Sequence, residues 1–111
     1  MQLETKKHLE DIRQAAQAIL DFTEDKMLDD YTNDEMLHSA VERKFEVIGE
    51  ALNRLLKINP AVAAQIENYQ RIISFRNLLI HGYDVVEDPI VWDVITKNVP
   101  LLYKQVQTLL K

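Results

Sequence analysis

About two thirds of the way along the chain stands Arg76-Asn77-Leu78-Leu79-Ile80-His81-Gly82-Tyr83, an arginine, a histidine and a tyrosine in an R-x4-H-x-Y arrangement. These residue types bring a fixed cation, a group that titrates near neutral pH and a phenol. Metal-free cleavage of a phosphodiester can use all three: an acid or base at the reacting oxygens, and a cation against the negative charge that gathers on phosphorus. Nothing else in the 111 residues concentrates chemistry in this way. Each residue alone also has an ordinary reading. An arginine beside an apolar face buries its stem and pairs with a carboxylate. A histidine at a helix end complements the dipole, and a tyrosine just beyond packs its ring and bonds its hydroxyl. The combination at this spacing, rather than any one member, points to a site.

The motif falls where an apolar-periodic helix over about Tyr69–Ile80 should end, with Gly82 placed to close it in a left-handed conformation. On such a helix Gln70, Ser74, Asn77 and His81 fall within roughly 60° of one another, a polar stripe opposite an isoleucine-rich side. Arg76 lies about 140° from His81, among Ile72, Ile73 and Ile80. The two can meet if the helix stops near His81, if Arg76 reaches round, or if a second subunit supplies one of them; the last two together are favoured.

Four long helices and one short one are expected to position the motif, as an all-α, up-and-down bundle in a single domain over 1–111. The first runs from about Leu3 to Thr23 on Leu9, Ile12, Ala15, Ala16, Ile19 and Leu20, with Phe22 extending the stripe. An acidic connection from Asp21 to Asp30 follows, and Thr32-Asn33-Asp34-Glu35 reads as a capping box. The second helix reaches about Ile58; Leu37, Val41, Phe45, Ile48, Leu52 and Leu55 form its stripe and should be the centre of the bundle. Asn59-Pro60 caps and opens a short helix to about Gln65. Asp88-Pro89 opens the last helix in the same way; Ile90, Val91, Val94, Ile95, Leu101, Leu102, Val106 and Leu109 give it a buried side, and Pro100 should kink it.

A second constellation lies on the central helix, where Arg43, Glu46 and Glu50 share one face. It reads equally as an intrahelical ion-pair ladder or as a carboxylate that orients Arg76 or His81. Gly49 is costly in a helix, so something large should approach it closely. Metal chemistry finds little support: His8, His38 and His81 fall on separate helices without matched ligand spacing, and there is no cysteine. Hydrophobic residues at 47% and charged residues at 28% indicate a globular chain rather than a disordered one. A net charge of −5 argues against a general nucleic-acid coating protein, though not against an enzyme that meets RNA at one local cleft; Arg71, Arg76, Lys97 and Lys104 could supply a local basic patch. No signal peptide or membrane span is expected, and a cytoplasmic location is.

The segment Phe75–Tyr83 resembles the signature of HEPN-superfamily ribonucleases, in the R-x4-H-x-Y form of the HepT-like toxin branch. Ile48-Gly49-Glu50-Ala51 after Arg43 is similar to the family's central helix, and Ile90-Val91-Trp92-Asp93-Val94-Ile95 to the opening of its last one. Gly82 is a departure, since many relatives carry a larger polar residue there. The resemblance implies a dimeric helical bundle whose two motif helices flank a shared cleft, and RNA cleavage without metal or other cofactor, with tRNA the expected substrate. Arg76 and His81 would then be catalytic, and Asn77 and Tyr83 would bind or orient substrate. It also implies a type VII-like toxin–antitoxin pair, in which an MntA-like nucleotidyltransferase antitoxin transfers AMP from ATP to Tyr83. The alternative is a non-catalytic helical accessory subunit that presents a substrate to such a nucleotidyltransferase.

Overall fold

The computed structural model describes residues 1–81 and 86–111. Among them every regular element is helical: α1 (Leu3–Thr23), α2 (Leu28–Asn33), α3 (Glu35–Ile58), α4 (Pro60–Ala63), α5 (Tyr69–His81), α6 (Asp88–Asp93), a π-helical turn (Val94–Asn98) and α7 (Val99–Leu110). None of these helices is long and apolar enough to cross a membrane. Gly82 and Tyr83 lie outside the described residues, and with them the expected left-handed closure of α5.

The centre of the bundle is α3. Its whole apolar stripe, Leu37, Val41, Phe45, Ile48, Leu52 and Leu55, is buried. The stripe advances in threes and fours, so it stays on one side of the helix over its full length. Against it lies α1, which buries Leu9, Ile12, Ala15, Ala16 and Ile19. The outer side of α1 takes α7, and α5 rests on α3. The stripe of α1 ends sooner than its periodicity suggests, since Phe22 is 39% exposed in the last turn.

The acidic connection after α1 is partly helical. α2 carries Asp29 and Asp30 in its first turn, and the Asp30 carboxylate accepts from the Met27 amide at 2.7 Å. This changes the start of α3. Thr32 lies within α2, so its backbone is helical and it cannot cap. The break falls at Asp34 (φ −112°, ψ 100°), whose carboxylate accepts from the Leu37 amide at 3.1 Å. The Asn59-Pro60 reading is borne out: the Asn59 side chain accepts from the Val62 amide at 3.2 Å, although α4 stops at Ala63.

The last long helix is the most altered. Val91, Ile95 and Val99 are buried, two successive steps of four. On a regular α-helix each such step overshoots a turn by about 40°, so the stripe would leave the core. The π turn takes up the excess: the Val99 amide donates to the carbonyl of Val94, five residues back. Pro100 follows with no amide to give, so the expected kink appears as a widened turn ahead of the proline. Ile90 and Leu101, expected inside, are 54% and 41% exposed.

The two candidate caps of α3 give opposite expectations. Asp34→Ala should destabilise the fold by about 1 kcal/mol in urea unfolding, while Thr32→Ala leaves the midpoint within about 0.5 kcal/mol, as at an ordinary surface position. The reverse order of effects would return the cap to Thr32.

Candidate functional site

The motif helix is the least enclosed of the long elements. α5 has no fully buried residue, although Ile72, Ile73, Phe75 and Leu79 pack against the core from its α3-facing side. Phe75 meets Phe45 edge to face at 5.2 Å and 83°. Between α5 and the last helix runs an apolar groove of about 230 Å³, lined by Phe45, Ile48, Ile72, Phe75, Val99 and Leu102. Gln70, Ser74, Asn77 and His81 are all exposed, so the polar stripe read from the sequence faces outward.

Arg76 starts on the other side of this helix. Its aliphatic stem lies directly on Gly49 of α3. A methyl group at position 49 would stand inside contact distance of Arg76 Cβ and Cγ and 3.0 Å from Cδ. The missing Cβ is therefore the seat of the arginine, which accounts for a buried glycine in mid-helix. From this seat the guanidinium turns outward, and Nη1 donates to Asn77 Oδ1 at 3.0 Å. Asn77 lies about 100° round the helix from Arg76 and about 40° from His81. The bond thus carries the cation from the packed side toward the polar stripe, which closes much of the 140° separation that an ideal helix imposes. Arg76 Nε is buried without a hydrogen-bond partner among the described residues. His81, the last residue of α5, is exposed.

The expected supporting residues act elsewhere. Arg43 pairs with Glu46 at 3.3 Å, and Glu50 with Arg54 at 2.9 Å, both along α3. Neither carboxylate bonds Arg76 or His81 among the described residues, because a partner three or four residues away on the same helix is already within reach. Both pairs fit the ladder reading, and the side chain that bonds the Arg76 guanidinium is Asn77. The residues of the expected basic patch have their own surroundings. Lys97 is bonded to Asp93 at 2.8 Å, Arg71 borders the apolar groove, and Lys104 lines a separate hollow with Gln65 and Gln105.

A further cluster lies beside the last turn of α5. His38 Nδ1 is 2.6 Å from Glu42 Oε1, and Nε2 is 2.8 Å from Asp88 Oδ1. The ring stacks on fully buried Tyr31, with centroids 4.5 Å apart. Burial, with Glu42 and Asp88 adding to it, pushes the Tyr31 phenol well above the usual tyrosine range. Asp88 was expected to cap the last helix; instead it lies inside α6, and its carboxylate goes to His38. His38 and Glu42 are four apart on one helix, but nothing in linear order joins His38 to Asp88, fifty positions away.

Gly49→Ala tests the seat directly. The exchange would gain about 1 kcal/mol at an exposed helix site. Here the new methyl meets the root of Arg76, and α5 has to shift, so unfolding in urea should show a net loss of about 1–3 kcal/mol. A stabilised variant would mean that the stem of Arg76 does not occupy this recess.

A candidate RNase of Methanocaldococcus jannaschii is 30% identical over 106 residues, 94% of each chain. One of Caldanaerobacter subterraneus subsp. tengcongensis is 32% identical over 104 residues, 94% of this chain and 92% of its own. A candidate HepT ribonuclease of Thermococcus cleftensis is 29% identical over 110 residues, 96% of each chain. No solved structure matches the chain. The family model described as "Ribonuclease HepT-like" matches residues 12–109, which takes in α3, the Gly49 seat and the whole R-x4-H-x-Y motif, and the chain accordingly belongs to the HepT-like ribonuclease family.

Proposed function

We propose that this protein is a metal-independent endoribonuclease acting on tRNA, the toxin of a type VII-like toxin–antitoxin pair. The observation that carries the reading is the Arg76–Asn77 bond, which turns the guanidinium from its seat on Gly49 toward the helix face where His81 is exposed. The reaction needs little more. His81 takes the proton from a ribose 2′-hydroxyl, and that oxygen attacks the adjacent phosphorus. The 5′-oxygen of the next nucleotide leaves with a proton, giving a 2′,3′-cyclic phosphate and a free 5′-hydroxyl. Arg76, fixed in direction by Asn77, faces the charge on the five-coordinate phosphorus. An imidazole changes charge near neutral pH, so one group can serve both proton transfers.

The same reading makes the working unit a homodimer. α5 leans on one neighbour, keeps its polar stripe outward and leaves Leu78 47% exposed, so a second motif helix can face it across a shared cleft. Control by an MntA-like nucleotidyltransferase antitoxin rests on Tyr83. Its phenolic oxygen attacks the α-phosphorus of ATP, pyrophosphate leaves, and the phenol proton passes to solvent. The AMP so attached adds bulk and negative charge two residues from His81, and both oppose the approach of RNA.

Purified protein should cleave bulk tRNA without added metal, and His81→Ala and Arg76→Ala should each lower the rate by about a hundredfold or more with the helical circular dichroism kept. Incubation with the antitoxin and ATP should raise the intact mass by whole AMP units, and Tyr83→Phe should abolish that rise. Cleavage by His81→Ala at the wild-type rate would remove the catalytic reading. Tight heteromer formation with no RNA cleavage by any form would leave an accessory subunit instead.

A further inference from the structure

Beyond the motif, a set of polar side chains from two helices surrounds His38. We propose that His38 is a positioning residue for the ribonuclease site: bridged between Glu42 and Asp88 and stacked on Tyr31, it fixes the start of α6 against α3 and so sets where the end of α5, with His81, stands. The proposal rests on the ribonuclease reading above for its consequence, but on independent geometry for its substance.

The ring is held at 2.6 and 2.8 Å between two carboxylates, one facing each nitrogen. The resulting bonds are charge-assisted and directional. They join three elements: Glu42 and His38 belong to α3, Asp88 to α6, and Tyr31 to α2. Tyr31 is fully buried, and its ring also meets Trp92 of α6 at 5.7 Å. The stack therefore holds both faces of the junction, whereas a surface histidine with one carboxylate would hold neither. The site enters through Leu79. It lines the same hollow as Tyr31, His38, Glu42, Val86 and Asp88, and it stands two residues before His81 on a helix otherwise supported chiefly by α3. α5 has no fully buried residue, and the wall that this cluster builds borders the hollow beside its final turn. Arg76 is seated upstream by Gly49; His38 provides the corresponding restraint at the downstream end.

His38→Ala, Asp88→Ala and Asp88→Asn separate this role from mere stability. Asn at 88 keeps an oxygen acceptor for Nε2–H, while Ala does not. On bulk tRNA, His38→Ala and Asp88→Ala should lower kcat by about tenfold to a hundredfold, as expected for small displacements of a catalytic group, with KM changed by less than about twofold. Asp88→Asn should recover most of the rate, and Val106→Ala, a core variant on α7, should keep wild-type kcat below its unfolding temperature. The chain has three histidines, so the ring signals of His81 can be followed by NMR in each variant. They should move in His38→Ala and Asp88→Ala, but not in Asp88→Asn or Val106→Ala.

Unmoved His81 signals in His38→Ala would overturn the proposal, as would equal losses of kcat in Asp88→Asn and Asp88→Ala. If His38→Ala fails to fold, the Asp88 pair decides by the same two readouts. Wild-type protein that leaves RNA intact would overturn the ribonuclease reading alone. The NMR comparison would still decide whether His38 positions His81.

Discussion

A guanidinium rooted on the packed side of a helix can serve the opposite side only if its stem has room to turn, and Gly49 provides that room. Any side chain at this position would fill the space that Arg76 Cβ, Cγ and Cδ occupy. The cost is one residue of poor helix propensity in mid-α3, about 1 kcal/mol, which a 24-residue helix with a fully buried apolar stripe can bear. In exchange, α5 approaches α3 closely along this line, and the Phe45–Phe75 contact forms beside it. The stem of Arg76 is then less a surface side chain than a part of the helix interface, with only its outer nitrogens directed by Asn77. That division, stem in the interface and head at the surface, lets one arginine support the fold and, in the proposed reaction, face a phosphate.

The centre of this arrangement was legible in the sequence and its edges were not. The α3 stripe could be read because its period matches a helix over six consecutive apolar positions, all of which are buried. The glycine could be read as a close approach because it is expensive in a helix, although its partner could not be named. Asn59-Pro60 was readable because capping is local: the side chain bonds an amide three residues on. The reading failed wherever one local rule competed with another. Thr32 fits a capping box, but α2 takes Thr32 into its own last turns and passes the cap to Asp34. Asp88 fits an N-cap before proline, but His38, fifty residues earlier, offers its carboxylate a stronger partner. Pro100 announced a distortion without saying which kind; the register of Val91, Ile95 and Val99 selects a π turn, since only a widened turn keeps all three inside.

The charge of the chain bears on how such a site could work. Acidic residues crowd the end of the bundle formed by the C-terminus of α1 and by α2: Glu24, Asp25, Asp29 and Asp30, followed by Asp34 and Glu35. That end is joined through Tyr31 and the His38 bridge to the start of α6. A polyanion is therefore repelled at this end, and five of the thirteen lysines and arginines, Lys97 and Arg54 among them, are paired with carboxylates. A net charge of −5 limits what counterion release can contribute to RNA binding. What remains is geometry: one guanidinium held in direction by a seat and an amide, one imidazole on an exposed helix end, and a rigid junction behind it. On the proposed reading, an acidic surface with one reactive pair favours discrimination in the transition state over tight capture of the ground state. On that same reading, the residues that would aim Arg76 and His81, Gly49 and Asn77 on one side and His38 and Asp88 on the other, matter as much as the reactive groups themselves.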